Sequence, residues 1–128
     1  MAEISWVVDP VTQIELLVPE WTTPESVIER AARHRAGRLL DIRLLVEWGV
    51  GWPVWGVVGG EIDAETLGLS KELQDELLQW TSFREHHLNI TSGWSSSADQ
   101  DTWMRRGHEL EEWLQREAWD IADVRREF

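Results

Sequence analysis

The sequence predicts an α+β domain in which a single layer of mainly antiparallel sheet, with three to four strands, has about three helices packed on it. Short apolar runs near the N-terminus and an alternating apolar-polar segment at 39–48 are typical of strands. Two later segments, starting near residues 70 and 101, have apolar side chains every three to four positions, as amphipathic helices do. A chain of 128 residues suits one domain, 1–128, with a core that needs no disulfide or metal.

The first two strands are expected at Ile4–Val8 and Gln13–Val18. The dipeptide Asp9-Pro10 between them is a turn signal, so the two strands are expected to form a hairpin. Pro19 ends the second strand because proline cannot donate a backbone hydrogen bond to a neighbouring strand.

The first helix is predicted to begin after Thr23, which can cap it, with Pro24 at the first helical position. Gly37 suits the position just beyond the helix end. A third strand is then predicted over 39–48, because apolar and charged residues alternate there. In the alternative interpretation the helix continues through Leu45.

An irregular aromatic loop is expected at Trp48–Gly56. Ser70 is the predicted cap of a helix that runs to about His86, and a final long helix is predicted to begin near Asp101. The segment Trp119–Arg126 is expected to return to extended structure. The predicted order of elements is therefore β-β-α-β-α-α-β.

Acidic side chains outnumber basic ones by 24 to 12, which gives a formal net charge of −12. A field of this sign repels phosphate backbones and anionic lipid, so neither nucleic acid nor membrane is expected as a partner. The charge favours a basic protein partner, or it serves solubility alone.

The chain has no cysteine, which excludes a disulfide framework and any Cys-based metal or nucleophile site. Glu3 and Asp9 interrupt the basic and apolar pattern of a signal peptide. The longest uncharged stretch, residues 48–60, is too short to span a bilayer. We therefore expect a cytoplasmic protein.

Ten tryptophans are the extreme feature of the composition. Five occupy apolar-face positions and are predicted to lie in the core: Trp6, Trp48, Trp80, Trp103 and Trp113. Four others lie in loops beside Gly, Pro or Ser: Trp21, Trp52, Trp55 and Trp94. Loop tryptophans can anchor a protein partner or stack on a flat ligand, and packing against the sheet is the alternative.

Motifs for catalysis and metal binding are missing from the sequence. His108-Glu109 has no second histidine four residues later, as the zinc protease signature requires, and Asp99-Gln100-Asp101 lacks the glycine of a calcium loop. No Gly-x-Ser-x-Gly elbow is present, and Ser95–Ser97 is interpreted as a flexible linker. We expect no catalytic residue, no metal and no cofactor.

The central and C-terminal segments carry a series of short motifs. They are Val46–Trp55, Leu67-Gly68-Leu69-Ser70, Leu73, Leu77-x-x-Trp80, Gly93-Trp94, Trp103-x-x-x-Gly107, Leu110 and Trp113-Leu114. Together they resemble small, acidic, Trp-rich bacterial proteins that have a Trp-Pro-x-Trp loop and a Leu-Ser-capped helix. The resemblance covers roughly residues 38–118 and transfers no activity and no site residue.

The leading hypothesis is a non-catalytic binding protein, of the immunity-protein or antitoxin kind, that neutralises a basic protein partner. Small size, acidic charge and loop tryptophans motivate it. The expected partner-binding residues are Trp52, Trp55, Trp94, Glu61, Asp63, Glu65, Asp75 and Glu76. Two alternatives are a small-molecule or carbohydrate binder that uses the Trp-rich loop, and a phage-type accessory or assembly protein. The oligomeric state is left open.

Overall fold

The computed structural model describes residues 4–128, which divide into two compact units, one ending at Leu39 and one beginning at Leu40. The predicted α+β class is confirmed. The strands fall into three small sheets within the described residues, and most pairings are antiparallel. Among the helices of 4–128, none combines the length and the apolar character needed to cross a membrane.

The N-terminal unit has the predicted hairpin and helix. Strands β1 (Ser5–Val8) and β2 (Glu15–Val18) pair antiparallel, and helix α1 (Pro24–Arg35) follows. The Thr23 hydroxyl accepts a hydrogen bond from the backbone N–H of Ser26 at 3.2 Å, which confirms the predicted cap. Gly37 has a φ of 67°, a left-handed conformation that glycine adopts without steric cost.

The C-terminal unit contains five strands and three helices. In chain order they are β3 (Leu40–Leu44), β4 (Val54–Gly56), α2 (Ala64–Leu67), α3 (Lys71–His87), β5 (Leu88–Asn89), β6 (Gly93–Trp94), α4 (Ser97–Glu117) and β7 (Ala122–Arg126). Strand β3 lies between β4, which is antiparallel to it, and β7, which is parallel to it. The short strands β5 and β6 form their own hairpin.

Strand β3 is shorter than predicted, and the alternative of a helix through Leu45 is wrong. The strand stops at Leu44, and the next residue donates its N–H to the carbonyl of Pro53 at 2.9 Å. A turn then closes through the 3.1 Å bond from Val50 N–H to the carbonyl of Glu47. This turn takes Trp48 off the apolar face, where the alternation had placed it.

Helix α4 begins at Ser97, four residues before the predicted start. The hydroxyl of Ser96 accepts the N–H of Asp99 at 3.0 Å and so caps the helix. The Ser95–Ser97 segment is therefore a helix start, and its interpretation as a flexible linker is wrong.

The core of the C-terminal unit lies between the sheet and helices α3 and α4. Its fully buried side chains include Ile42, Leu44, Val54, Leu73, Leu77, Leu110 and Leu114. Trp80 and Trp103 are buried as predicted. Trp6 and Trp48 were also predicted as core, but they are 57% and 46% exposed, and that prediction is wrong.

Candidate partner-binding surface

Strand β4 and the turn after it form a hairpin that brings several of the expected binding residues together. Trp55 in β4 pairs with Glu61 as an isolated antiparallel bridge. The N–H of Ile62 donates to the carbonyl of Val54 at 2.9 Å, which pairs the two arms one residue farther from the turn. We call residues 54–65 the acidic hairpin, because Glu61, Asp63 and Glu65 all lie in it.

The two tryptophans at this hairpin are half-buried, so they are less available than the sequence suggested. The indole N–H of Trp52 donates to the carbonyl of Ile62 at 2.6 Å, and that of Trp55 donates to the carbonyl of Leu45 at 3.0 Å. Both polar atoms are therefore used inside the fold, and Trp52 also packs against the core. What remains for a partner is part of each ring.

The three carboxylates of the acidic hairpin have different local roles. Asp63 caps α2 by accepting the backbone N–H of Thr66 at 2.8 Å. Hydrogen bonds from Thr66 lower the pKa of Asp63, so its negative charge is fixed in place. Glu61 and Glu65 are exposed, and neither forms an ion pair with another residue of 4–128.

The tip of the acidic hairpin exposes an apolar pair that was not singled out from the sequence. Val57 is half-exposed and Val58 is 94% exposed. The signal in the sequence is two valines directly before Gly59-Gly60, the glycines of the turn. An apolar tip beside unpaired carboxylates has the chemistry of a protein-binding surface.

Asp75 and Glu76 lie on α3, and both are already paired within the chain. Asp75 contacts Lys71 at 2.8 Å, one helical turn earlier. Glu76 pairs with Arg106 of α4, and Arg106 also contacts Glu109 at 2.9 Å. Hydrogen bonds to Glu109 and Glu76 raise the pKa of the Arg106 guanidinium. These acids contribute to the negative field, but their first contacts are internal.

A groove of about 180 Å³ lies between α3 and α4. Its lining consists of Glu76, Gln79, Trp80, Phe83, Thr102, Trp103 and Arg106. Trp94, the last of the expected binding residues, is half-buried in β6, and its ring centroid lies 5.6 Å from that of Trp103. Five of the eight expected residues therefore lie in the acidic hairpin or just before it. Of the other three, Glu76 lines this groove, Asp75 precedes it on α3, and Trp94 packs against Trp103.

The alternation of apolar residues predicts Trp48 in the core, but in the structure it is an exposed indole. The guanidinium of Arg84 lies 5.5 Å from its ring centroid, a cation–π distance. The loop around Trp48 is attached to α3, because Glu85 accepts the N–H of Gly49 at 3.0 Å and Thr81 donates to the carbonyl of Gly51 at 2.7 Å. Trp48 thus lies on a fixed loop and is open to solvent.

A Ser-His-Asp group occurs where β6 meets α4, but its geometry is structural. The Ser95 hydroxyl donates to Asp99 at 2.6 Å. Ser95 and Asp99 both approach the same ring nitrogen of His87, Nδ1, at 3.4 Å. A nucleophile relay needs the hydroxyl and the carboxylate on opposite nitrogens. Within residues 4–128, no group of three or more His, Asp or Glu side chains could hold a metal ion.

Most of the excess charge belongs to the C-terminal unit. Residues 40–128 contain eighteen acidic and eight basic side chains, a formal charge of −10 out of the total of −12. The segment 61–76 alone has six acids against Lys71. The negative field is therefore concentrated in the unit that carries the acidic hairpin.

A family model described as Serratia CdiI immunity protein-like matches residues 40–125, about two thirds of the chain. The match includes the acidic hairpin, the groove and Trp48. It begins where the C-terminal unit begins. No curated protein and no solved structure matches the chain.

Proposed function

We infer that this chain, which belongs to the Serratia CdiI immunity protein-like family, is an immunity protein that binds a basic toxin protein and blocks its harmful activity. Neutralisation by binding requires no chemical step, so the proposal assigns no catalytic residue and no cofactor to the chain. The cytoplasmic location expected from the sequence is part of the proposal.

The observation that carries the proposal is that the family match covers the same part of the chain as the acidic C-terminal unit. The residues of the C-terminal unit have a formal charge of −10. A field of this size accelerates the encounter with a basic protein and disfavours acidic ones. A basic toxin is therefore the partner class that this surface suits best.

The acidic hairpin is the proposed contact. Val58 is 94% exposed, so an apolar pocket on the partner could take it up without any rearrangement of this chain. Glu61 and Glu65 have no ion pair within 4–128 and can meet lysine or arginine at the rim. Asp63 adds a charge that its cap hydrogen bond holds in position.

Asp75, Glu76 and Trp94 have a secondary role in this proposal. Direct pairing of the partner with Asp75 or Glu76 would compete with Lys71 and Arg106. Their charges still act at long range, because the field depends on the sum of charges and not on single contacts. Trp94 offers only part of its ring, beside the groove.

A carbohydrate platform built from Trp52 and Trp55 receives less support. A stacking site needs open ring faces together with polar groups that can bond to the ligand. Both rings are half-buried, and both indole N–H groups donate to carbonyl oxygens of the chain itself.

The first test is affinity capture from a lysate of the source cell at low and at high salt, followed by mass spectrometry. The proposal predicts one basic protein, recovered in stoichiometric amount and held more weakly at high salt. Recovery of no specific protein at either salt concentration would count against the proposed function.

Once the partner has been captured, charge-reversal substitutions show which part of this chain contacts it. Glu61→Lys is expected to lower the association rate about three- to tenfold at low salt. Glu112→Lys is the matched control, because Glu112 is exposed, has no ion pair within 4–128, and gives the same change in net charge. Equal effects of the two substitutions would mean that the acidic hairpin is not the contact.

A further inference from the structure

The exposed face of the β1–β2 hairpin is apolar. Trp6 lies directly opposite Leu17 in the hairpin register, and they are 57% and 51% exposed. Val8 is on the same face, since alternate residues of a strand point to the same side, and Ile4 precedes the strand with 75% exposure. The other face includes buried Val18 and packs against α1. A cluster of large apolar side chains on a solvated sheet face is a mark of an interaction site.

The hairpin is rigidly held, so this face is organised before any partner arrives. Asp9 is almost fully buried in the turn. Its N–H donates to the carbonyl of Ile14 at 2.9 Å, and its carbonyl accepts the N–H of Gln13 at 2.8 Å. Its carboxylate accepts the N–H of Val11 at 2.9 Å and pairs with Arg35 of α1 at 2.5 Å. Preorganisation of this kind lowers the entropic cost of binding.

We propose that this face is a dimerisation surface and that its occupant is the same face of a second copy of this chain. Among residues 4–18, the face carries one charged side chain, Glu15, which lies opposite Val8 toward the turn. An apolar patch with a single charge at one end is self-complementary about a twofold axis, because the two Glu15 side chains then lie at opposite ends of the contact. Homodimer interfaces are also the most apolar class of protein interface.

The available area suits a weak dimer. Ile4, Trp6, Val8 and Leu17 together expose on the order of 500 Å². Two copies would therefore bury about 1,000 Å², near the lower limit for a specific interface. Val11 and Ile14, exposed in the turn, can add to it.

The toxin of the proposed function is a poorer occupant. In its described part, residues 4–18, the face has only Glu15 to meet a basic protein, and it lies before residue 40, outside the family match. Dimerisation is thus a property beyond the proposed function, and an experiment that rejects one of the two proposals leaves the other standing.

Salt dependence separates the two associations. Two copies with a net charge of −12 repel one another, so screening by salt should strengthen an apolar dimer. Binding of a basic toxin to the acidic hairpin should instead weaken with salt.

The test is sedimentation equilibrium of the full chain alone, from about 5 to about 500 µM, at low and at high salt. We expect the mass to rise from monomer to dimer with concentration, and to rise earlier at high salt. Leu17→Glu places a charge in the centre of the face and should weaken the dimer about tenfold or more. Ile90→Glu is the matched control on an exposed apolar residue outside the β1–β2 hairpin, and this variant should dimerise like the wild type.

Far-UV circular dichroism checks that each variant is folded, and Trp6→Gln replaces Leu17→Glu if that variant is not. A wild-type chain that stays monomeric throughout overturns the proposal. So does a dimer that survives substitution at Leu17 or Trp6, which would place the contact elsewhere. If the wild-type chain is monomeric and the substitution at Leu17 or Trp6 abolishes toxin binding, the proposal is overturned and the face belongs to the toxin contact.

Discussion

The indole N–H of Trp80 donates to the carbonyl oxygen of Trp103 at 2.9 Å, and the indole N–H of Trp103 donates to the carbonyl oxygen of Trp80 at 3.0 Å. The two rings are buried and stack with their centroids 4.5 Å apart. This reciprocal pair joins α3 to α4. It therefore fixes the walls of the groove and the helix on which Asp75 and Glu76 lie.

Trp80→Phe should destabilise the chain by about 2–4 kcal/mol, because it removes a buried donor and leaves a cavity beside Trp103. Urea unfolding followed by far-UV circular dichroism measures the loss. Trp48→Phe is the control on a half-exposed indole and should change stability by less than about 1 kcal/mol. Equal losses for the two variants would contradict the role assigned to the pair.

Gly107→Ala should also destabilise, by about 1–3 kcal/mol, although alanine favours helix over glycine. A Cβ at Gly107 would lie 2.7 Å from the ring of Phe128 and 2.8 Å from that of Trp80, too close for either to remain in place. Thermal or urea unfolding tests this. Gln100→Ala, on an exposed position of the same helix, should leave stability unchanged or slightly higher.

The Asp99 carboxylate should make stability fall in acid. Hydrogen bonds from Ser95 and Ser96 hold the pKa of Asp99 below its ordinary value of 3.8. The stabilisation that Asp99 gives the folded chain is therefore complete when the pH is above the ordinary pKa. It is lost as the pH falls through the lower pKa of the folded state. Asp99→Asn should flatten the dependence of unfolding free energy on pH below about 4. An Asp99→Asn variant that keeps the wild-type slope would contradict this role of the carboxylate.

Val58→Asp should weaken binding of the captured toxin about tenfold or more while the fold is unaffected. Val58 is nearly fully exposed, so the substitution removes an apolar anchor and no internal contact. Surface plasmon resonance measures the affinity, and an unfolding curve checks stability. Ile90→Asp is the control at another exposed apolar position. If both variants bind like the wild type, the tip of the hairpin is not an anchor.

The elements that could be predicted from the sequence are those set by local chemistry. The caps at Thr23 and Ser70 follow from a side-chain oxygen placed three residues before a free N–H, and the structure has both. The turn at Asp9-Pro10 could also be predicted, because it depends on residues that are neighbours in the sequence. The end of β3 depends instead on Pro53, which accepts the N–H of Leu45 but has no N–H to donate back. No short pattern in the sequence reveals that these two residues lie opposite each other.

The binding residues were harder to predict because their availability depends on distant partners. Arg106 is 30 residues from Glu76, yet it occupies that carboxylate. The indoles of Trp52 and Trp55 are held by carbonyls ten residues away. Composition identifies acids and tryptophans, but only the fold shows that Glu61 and Glu65 have no ion pair within 4–128 and that Trp48 is exposed.

The most direct test of the proposed function is the growth of cells that express the captured basic protein, with and without this chain. We predict that the captured protein stops growth, that the wild-type chain restores it, and that a Val58→Asp/Glu61→Lys variant restores it poorly at equal expression. A captured protein that does not impair growth, or one whose toxicity persists while the wild-type chain is bound to it, would contradict the proposed immunity function.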